Sequence, residues 1–405
     1  MKAQRLYKQI VISNKGADFL AEGNNWVYEN EVVTQSDGIN SGDIVDVISL
    51  KGKYLGSGFY SSESKIRVRV LSTNYNDVFN DEFFTRRVRF AIKYRLDVLE
   101  IIDACRVIFG EADGFPGLTV DKYNDILVSQ ITTVGLDMRK DIIFRALIDE
   151  FGKIGIKIDA IYERNDVNSR AKDGLELYKG YYYTSDDFDR DTKETIIEEN
   201  GVKYYVDFVD GQKTGFFLDQ KYNRELVGRI ARGKRVLDCF THTGSFGLNC
   251  ALNGASKVVS VDISGLAIEQ SKRNAILNGL EDKIEYVKAD VFKYLDNVKK
   301  RDFDLIILDP PAFTKSRSTV MSAYNGYKHI NSKAMSLLGK GGYLVSASCS
   351  HFMPEELYVK MLMEAAKENN MTLKQVSYSQ QGKDHPIILN SNQTDYLKFY
   401  ILQVV

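Results

Sequence analysis

The sequence predicts an α/β protein whose C-terminal half is a doubly wound, mostly parallel sheet, preceded by a small β-barrel and an α+β segment. Three observations carry this reading. From Lys234 onward apolar strands alternate with helical stretches, the rhythm of units that lay strands side by side in parallel. Residues 1 to about 75 show short strands alternating apolar and polar residues, and the residues between mix both patterns. A chain of 405 residues is also too long for one ordinary core, so three domains are expected, at 1–75, 76–185 and 186–405.

The first segment reads as all-β. Its clearest strands are Gly42-Asp43-Ile44-Val45-Asp46-Val47-Ile48 and Lys65 to Val70, punctuated by glycines at 38, 42, 52, 56 and 58. In the second segment, apolar residues at helical spacing run from Asp81 to Cys105. Leu118-Thr119-Val120-Asp121 and Ile126 to Gln130 read as a hairpin, Arg139 to Phe151 as a helix and Ala160-Ile161-Tyr162-Glu163 as a strand. The polar run from Thr184 to Asp191 is the best linker. The third segment offers strands at Arg235 to Phe240, Lys257 to Ile263, Lys283 to Ala289, Phe303 to Leu308 and Gly342 to Ser348. Two more, around Thr372 to Ser377 and Lys398 to Val404, have no long helix between them, so an antiparallel addition at the sheet edge is expected.

Hydrophobic residues make up 44% and charged residues 27%, the balance of a globular protein. No run of about 18 apolar residues suits a membrane span. Met1-Lys2-Ala3-Gln4-Arg5-Leu6-Tyr7-Lys8 lacks the apolar core of a signal peptide. The four cysteines (Cys105, Cys239, Cys250 and Cys349) show neither CxxC spacing nor nearby paired histidines, so neither a zinc site nor a disulfide framework is expected and a reducing cytoplasm fits. The net charge of -1 speaks against a broad phosphate footprint and leaves room for a local one. Thr85-Arg86-Arg87-Val88-Arg89 is the candidate, with Arg86, Arg87 and Arg89 as substrate contacts; the plainer reading is a solvated helix face. Lys65-Ile66-Arg67-Val68-Arg69 is a second basic stretch.

The chemistry concentrates at the ends of the predicted parallel strands, where open α/β sheets bind ligands. The first strand ends in Val236-Leu237-Asp238-Cys239-Phe240, followed by Thr241-His242-Thr243-Gly244-Ser245-Phe246-Gly247 opening a helix. The second ends at Asp262, about twenty residues further on, where a carboxylate can take both ribose hydroxyls. The third runs into Ala289-Asp290-Val291, and the fourth ends in Asp309-Pro310-Pro311-Ala312-Phe313. A single acid at a strand end serves equally well as a helix cap; the ordered series is more specific. It resembles the class I, Rossmann-like S-adenosylmethionine methyltransferases. That resemblance implies that Asp262 holds the ribose, that Asp290, with Val291 beside it, meets the adenine amine, and that Asp238 and Gly244 face the methionine part.

Strand five leads into Ser346-Ala347-Ser348-Cys349-Ser350-His351, which puts Cys349 at the same sheet edge as Asp309. Cys105 and Cys250 fall in helical patterns and Cys239 near a core strand, where cysteine is usually structural. A thiolate at Cys349 could add to carbon 6 of a pyrimidine and make carbon 5 nucleophilic, with Asp309 bonding the cytosine's polar edge. An amine-methylating enzyme needs no cysteine; it would use the strand-four motif, with Phe313 stacking on the base.

Taken with Gly326-Tyr327-Lys328-His329-Ile330-Asn331, Glu111-Ala112-Asp113-Gly114-Phe115-Pro116-Gly117, Lys213-Thr214-Gly215-Phe216-Phe217-Leu218-Asp219-Gln220, Asn223-Arg224 and Asp384-His385-Pro386, these motifs resemble the bacterial ribosomal RNA large-subunit methyltransferase I family along nearly the whole chain. These are S-adenosylmethionine-dependent cytosine carbon-5 methyltransferases of 23S ribosomal RNA with an N-terminal PUA domain. The resemblance implies that Cys349 is the nucleophile, that Gln220 and Arg224 lie beside the cofactor, and that residues 1–75 are an RNA-binding PUA domain. Where the family usually has His-Pro before Trp-Val-Phe, this chain has Asn24-Asn25-Trp26-Val27-Tyr28. His385 is a candidate base for the final proton, against a structural role for a loop histidine. The expected partner is ribosomal RNA and not a membrane, with a homodimer as a further expectation. Two other readings stay open: methylation of a ring or exocyclic nitrogen, and a non-catalytic RNA-binding factor.

Overall fold

The computed structural model describes residues 5, 7–314, 316–391 and 393–405; residues 1–4 and Leu6 of the N-terminal stretch lie outside the described residues. The chain packs as two compact units. One contains residues up to 197 with 206–218 and 383–394, the other 198–205, 219–382 and 395–405.

In the first unit, a six-stranded mixed sheet runs in the order Trp26–Tyr28, Ile66–Ser72, Tyr54–Tyr60, Ile44–Ser49, Lys8–Ile12, Val32–Gln35. Its inward residues, Ile10, Ile12, Val27, Val45, Val47, Val68 and Val70, form one apolar core. The all-β expectation needs one correction. Asn14–Ala21 is a helix, started by Ser13, whose hydroxyl accepts from the Gly16 amide at 3.2 Å. A second, five-stranded sheet follows the order Tyr178–Thr184, Ala160–Asn165, Ile126–Ile131, Leu118–Tyr123, Ala104–Phe109. The expected hairpin is present, with Leu118 opposite Ile131 and Tyr123 opposite Ile126. Helices Asp81–Val98 and Lys140–Lys153 accompany this sheet. The first is shorter than the apolar pattern suggested: it stops at Leu99, and Cys105 lies in the strand Ala104–Phe109, not in a helix.

Helix Asp81–Val98 gives the three arginines of the basic stretch intramolecular partners. Arg87 is on its inner face, donating to the carbonyls of Leu71 (2.6 Å) and Gly114, and burial brings its pKa down to about 10. In this position it acts as an internal strut. Arg89 forks onto Glu150 at 3.0 and 3.1 Å and Arg86 lies 3.7 Å from Asp77, so both of these more exposed guanidiniums have carboxylates beside them. Two motifs of the family resemblance meet next to this helix. Arg95 forks onto Asp113 (2.6 and 2.8 Å) and donates to the Asp384 carbonyl at 2.7 Å. His385 is buried, its Nδ1 2.9 Å from the Asp384 carboxylate and its ring against Phe109. The structural reading of His385 accounts for all of these contacts.

In the second unit the chain runs α1 (Lys221–Ile230), β1 (Arg235–Cys239), α2 (Ser245–Leu252), β2 (Lys257–Asp262), α3 (Gly265–Leu277), β3 (Ile284–Lys288), α4 (Val291–Asn297), β4 (Leu305–Leu308), α5 (Val320–Leu337), β5 (Tyr343–Ser348), α6 (Glu355–Glu368), β6 (Leu373–Ser379) and β7 (Lys398–Val404). The sheet order is β3-β2-β1-β4-β5-β7-β6. The first five strands are parallel, and β7 runs antiparallel to both neighbours, as expected of the edge. Because β1 lies between β2 and β4, the strand order reverses there, which opens a crevice above their C-terminal ends. Among the described residues no helix is long and apolar enough to cross a membrane.

Helix α1 is tied down by a fully buried ion pair. Arg224 donates to Glu199 at 2.6 and 2.9 Å, and both side chains are 1% exposed. Removing one partner strands the other charge in the interior. Glu199→Ala should therefore cost about 3–5 kcal/mol of stability, read as a lower urea midpoint. Glu199→Leu combined with Arg224→Met should recover most of the loss; a single substitution that leaves the midpoint unchanged would show that the pair carries no weight.

Candidate active site

The turn from β1 into α2 is built for close approach. Phe240 and His242 are held at φ of 61° and 50°, conformations unfavourable for side chains of their size, and Gly244 follows at 81°. A Cβ on Gly247 would stand 2.6 Å from the Ser260 hydroxyl and 3.0 Å from the Asp238 carboxylate, so the first turn of α2 can pass only as glycine. Asp238 sits beneath this turn, 1% exposed. Its Oδ2 accepts from the Thr241 hydroxyl, from the Gly247 amide at 3.0 Å and from the Ser260 hydroxyl at 3.4 Å. Its Oδ1 is buried and accepts from no donor among the described residues. Burial pushes its pKa up to about 6. A buried carboxylate with one satisfied and one waiting oxygen suits a ligand that brings its own donor.

At the end of β2, Asp262 accepts from the His242 amide (3.0 Å) on one oxygen and the Ser264 amide (2.9 Å) on the other. These backbone bonds fix the carboxylate and leave each oxygen a further lone pair. Asp290 caps α4, accepting from the Lys293 amide at 3.1 Å, with Val291 buried as the next residue. The helix-cap reading of Asp290 is thus realised, in a half-buried position at the end of β3. Acceptors at Asp238 and Asp262 match a ligand with an ammonium at one end and a ribose diol further along, so the residues present fit S-adenosylmethionine.

Asp309, just past β4, is held by a relay. Gln220 Nε2 donates to both of its oxygens at 3.2 Å, Asn223 donates to Gln220 Oε1 at 2.6 Å, and Ser379 donates to Asn223 Oδ1 at 2.6 Å. The motif residues of α1 therefore aim the strand-four carboxylate. Arg224, one turn on, is committed to Glu199 and acts on the site by anchoring that helix.

Cys349 follows β5. It is half-buried, whereas Cys105, Cys239 and Cys250 are buried, with thiols pushed up to about 12 for Cys105 and well above the usual value for the other two. Its neighbours are pinned by Tyr327 of α5. The Ser348 hydroxyl donates to the Tyr327 oxygen at 3.0 Å, and the Ser350 hydroxyl lies 3.1 Å from it. Phe313 lies against the Tyr327 ring at 4.4 Å between centroids. Gly326 permits this approach, since a Cβ there would come within 3.3 Å of the Phe313 ring. Asn331, one turn later, accepts from the Ser346 hydroxyl at 2.6 Å. The sequence singled out this α5 motif without assigning it a task; its task is to hold the end of β5. Lys398, at the start of β7, donates to the Ser350 carbonyl at 2.9 Å beside this turn; sequence reasoning did not single it out, because one lysine at a strand's first position carries no pattern.

Comparison with known proteins agrees with this geometry. A family described as S-adenosylmethionine-dependent methyltransferase matches residues 185–388, and a PUA-like domain matches residues 10–73. A ribosomal RNA large subunit methyltransferase I from Shewanella denitrificans is 39% identical over 385 residues, 94% of this chain and 95% of its own. The protein of the same name from Pseudoalteromonas atlantica is 38% identical over the same shares. A putative S-adenosylmethionine-dependent methyltransferase from Streptococcus mutans, a solved structure, has a TM-score of 0.80 at 22% identity, covering 98% of this chain and 100% of that one. A putative methyltransferase solved with S-adenosylhomocysteine has a TM-score of 0.81 at 22% identity, over the same shares.

Asp238 binds its proton more tightly folded than unfolded, its pKa rising from 3.8 to about 6. Its charge therefore costs about 3 kcal/mol above pH 6, and the cost fades as pH falls toward 4. Asp238→Asn should raise the melting temperature of the ligand-free protein at neutral pH and flatten its pH dependence between about 4 and 6. It should also weaken S-adenosylhomocysteine about ten- to a hundred-fold in calorimetry. Asp262→Ala should weaken the same ligand by a similar factor; unchanged affinity would remove Asp262 from the site.

Proposed function

Because the chain belongs to the S-adenosylmethionine-dependent methyltransferases and, within them, to the ribosomal RNA large-subunit methyltransferase I family, we propose that it methylates carbon 5 of a cytosine in 23S ribosomal RNA through a covalent Cys349 adduct. The observation that carries this reading is the placement of Cys349. It is the one partly exposed thiol of the four, at the end of a strand next to the one that presents Asp309. A methyltransferase for an amino nitrogen has no use for a thiol there.

S-adenosylmethionine, when bound, supplies an electrophilic methyl group. Asp238 would take its ammonium, Asp262 its ribose hydroxyls and Asp290 with Val291 its adenine end. The target base must leave its stack to reach the sheet edge. Asp309, aimed by Gln220, accepts from the amino edge of the base and fixes its orientation. The Cys349 thiolate would bond to carbon 6, shifting the electron pair of the carbon 5–carbon 6 double bond to carbon 5, which could then take the methyl group that S-adenosylmethionine would supply. Loss of the carbon-5 proton returns electrons to the ring, re-forms the double bond and expels the thiolate. Phe313, partly exposed beside Tyr327, offers a face to the base.

In this reading residues 1–75 are the PUA domain that engages RNA, 76–185 the middle domain and 186–405 the methyltransferase domain, working in the cytoplasm. Arg86 and Arg89 would add phosphate contacts only by exchanging their carboxylate partners. RNA carrying 5-fluorocytosine at the target should trap the adduct, because fluorine does not leave as a proton does. A denaturing gel should show a shifted band that requires S-adenosylmethionine. Cys349→Ala should abolish the band and the methylation while leaving S-adenosylhomocysteine binding intact, and Cys239→Ala should do neither. Wild-type methylation by Cys349→Ala would put the nitrogen-methylating reading in its place.

A further inference from the structure

Lys398 is a buried lysine without an ion-pair partner among the described residues. Its residue is 4% exposed, and among the described residues its only hydrogen-bond acceptor is the Ser350 carbonyl, 2.9 Å from Nζ. No carboxylate among them is within ion-pair distance of it. A lysine is almost never fully buried unless paired, because the lost hydration must be replaced. One neutral carbonyl replaces little of it. Structural need does not account for the charge, since a methionine of similar length would fill the same space in the sheet.

The location supplies a reason. Antiparallel pairing of β5 with β7 sets Lys398 opposite Ser348, and its ammonium reaches the carbonyl of Ser350. Both residues flanking Cys349 in sequence are thus its neighbours. The charged groups it feels are Asp395, just before β7, Cys349 itself, and Glu355 at the start of α6. Glu355 already accepts from the hydroxyls of Tyr378 and Tyr400, each at 2.8 Å. From α5 the thiol faces Tyr327, whose own ionisation burial disfavours, and on the turn after β5 His351 points to the Asp395 carbonyl at 3.3 Å. Among these neighbours Lys398 is the lysine or arginine, and burial in poor solvent strengthens its pull on a nearby anion.

We propose that Lys398 is the counter-cation of Cys349, a positioning residue that holds the thiol in its thiolate form before attack and receives the negative charge again when the sulfur is expelled. The thiol proton leaves to solvent, and no bond to Lys398 forms or breaks. This inference rests on Cys349 being the nucleophile. A free thiol near neutral pH is only a few per cent ionised, with a pKa of about 8.5, and an adjacent ammonium is a recognised way to lower it. The ordinary alternative is a clamp, in which Lys398 merely ties the β5 turn to β7 through the Ser350 carbonyl.

The two roles separate in the pH dependence of thiol alkylation. The other three cysteines are buried, so iodoacetamide on the full-length folded protein should label Cys349, and peptide mass spectrometry verifies the site. The wild-type rate should follow a titration with its midpoint below about 8.5. Lys398→Met should raise the midpoint by about one pH unit and slow labelling at pH 7 about tenfold. RNA methylation at limiting pH should fall in parallel, with S-adenosylhomocysteine affinity unchanged. Lys398→Arg, which keeps the charge, should restore most of the labelling rate. An unmoved midpoint in Lys398→Met overturns the proposal in favour of the clamp. Should Lys398→Met fail to fold, the wild-type midpoint decides alone, and a value at or above about 8.5 overturns the proposal. Failure of the nucleophile reading looks different: Cys349→Ala would then methylate RNA normally, whatever the alkylation midpoint shows.

Discussion

Parallel pairing across five consecutive strands is the constraint from which the site follows. With Asp238 opposite Ser260 on one side and Ile307 on the other, the register of β1 decides which residues finish each strand at the crevice. Asp262 ends its strand, and Asp290, Asp309 and Cys349 follow the last residues of theirs, so one edge collects all four. A slip of one residue in any of these strands would send the inward set to the opposite face and withdraw the acid from the edge. The extensive apolar core around Leu237, Ile306, Leu308 and Leu344 opposes such slips.

Around that edge the supporting residues share a design. The candidate ligand-facing groups are few, and neighbouring side chains hold them by hydrogen bonds. Gln220 aims Asp309 and is itself aimed by Asn223 and Ser379. Tyr327 holds Ser348 and Ser350 on either side of Cys349. The buried pair Arg224–Glu199 steadies the helix that carries Gln220 and Asn223. Such supports keep a reacting group within fractions of an ångström of its working position. The left-handed Phe240 and His242 are where the backbone deviates from its own preferences, and they lie in the turn between β1 and α2.

The second unit was the most legible part in the sequence. Parallel strands buried on both faces give near-continuous apolar runs, and the expected strands agree with the observed ones to within two residues. The first unit was harder. Helix Asn14–Ala21 is only eight residues long, between strands whose alternation dominates the window. The run from Asp81 to Cys105 holds neither glycine nor proline, so nothing in it announced that the helix stops at Leu99 and a strand begins at Ala104. Charge is visible in a sequence but helix face is less so. Arg87 looked like Arg86 and Arg89 until its side chain was found turned inward. In the site, acids at strand ends could be read because their spacing follows the sheet. The relay through Asn223 and the place of Lys398 could not, because both arise from segments more than 45 residues apart in sequence that only packing brings together.

The path of the chain between β6 and β7 has a consequence for biosynthesis. Residues 383–394 return to the first unit, where the Asp384 carbonyl completes the bonding of Arg95 across 289 residues of sequence. A nascent chain emerging from its N-terminus therefore presents Arg95 and Asp113 long before Asp384 has been made. The usual order, in which the leading domain matures while the rest is still being translated, is unavailable to this protein. Its N-terminal unit finishes folding only after residues 383–394 have left the ribosome, and a premature stop just after β6 would damage the portion that was synthesised first.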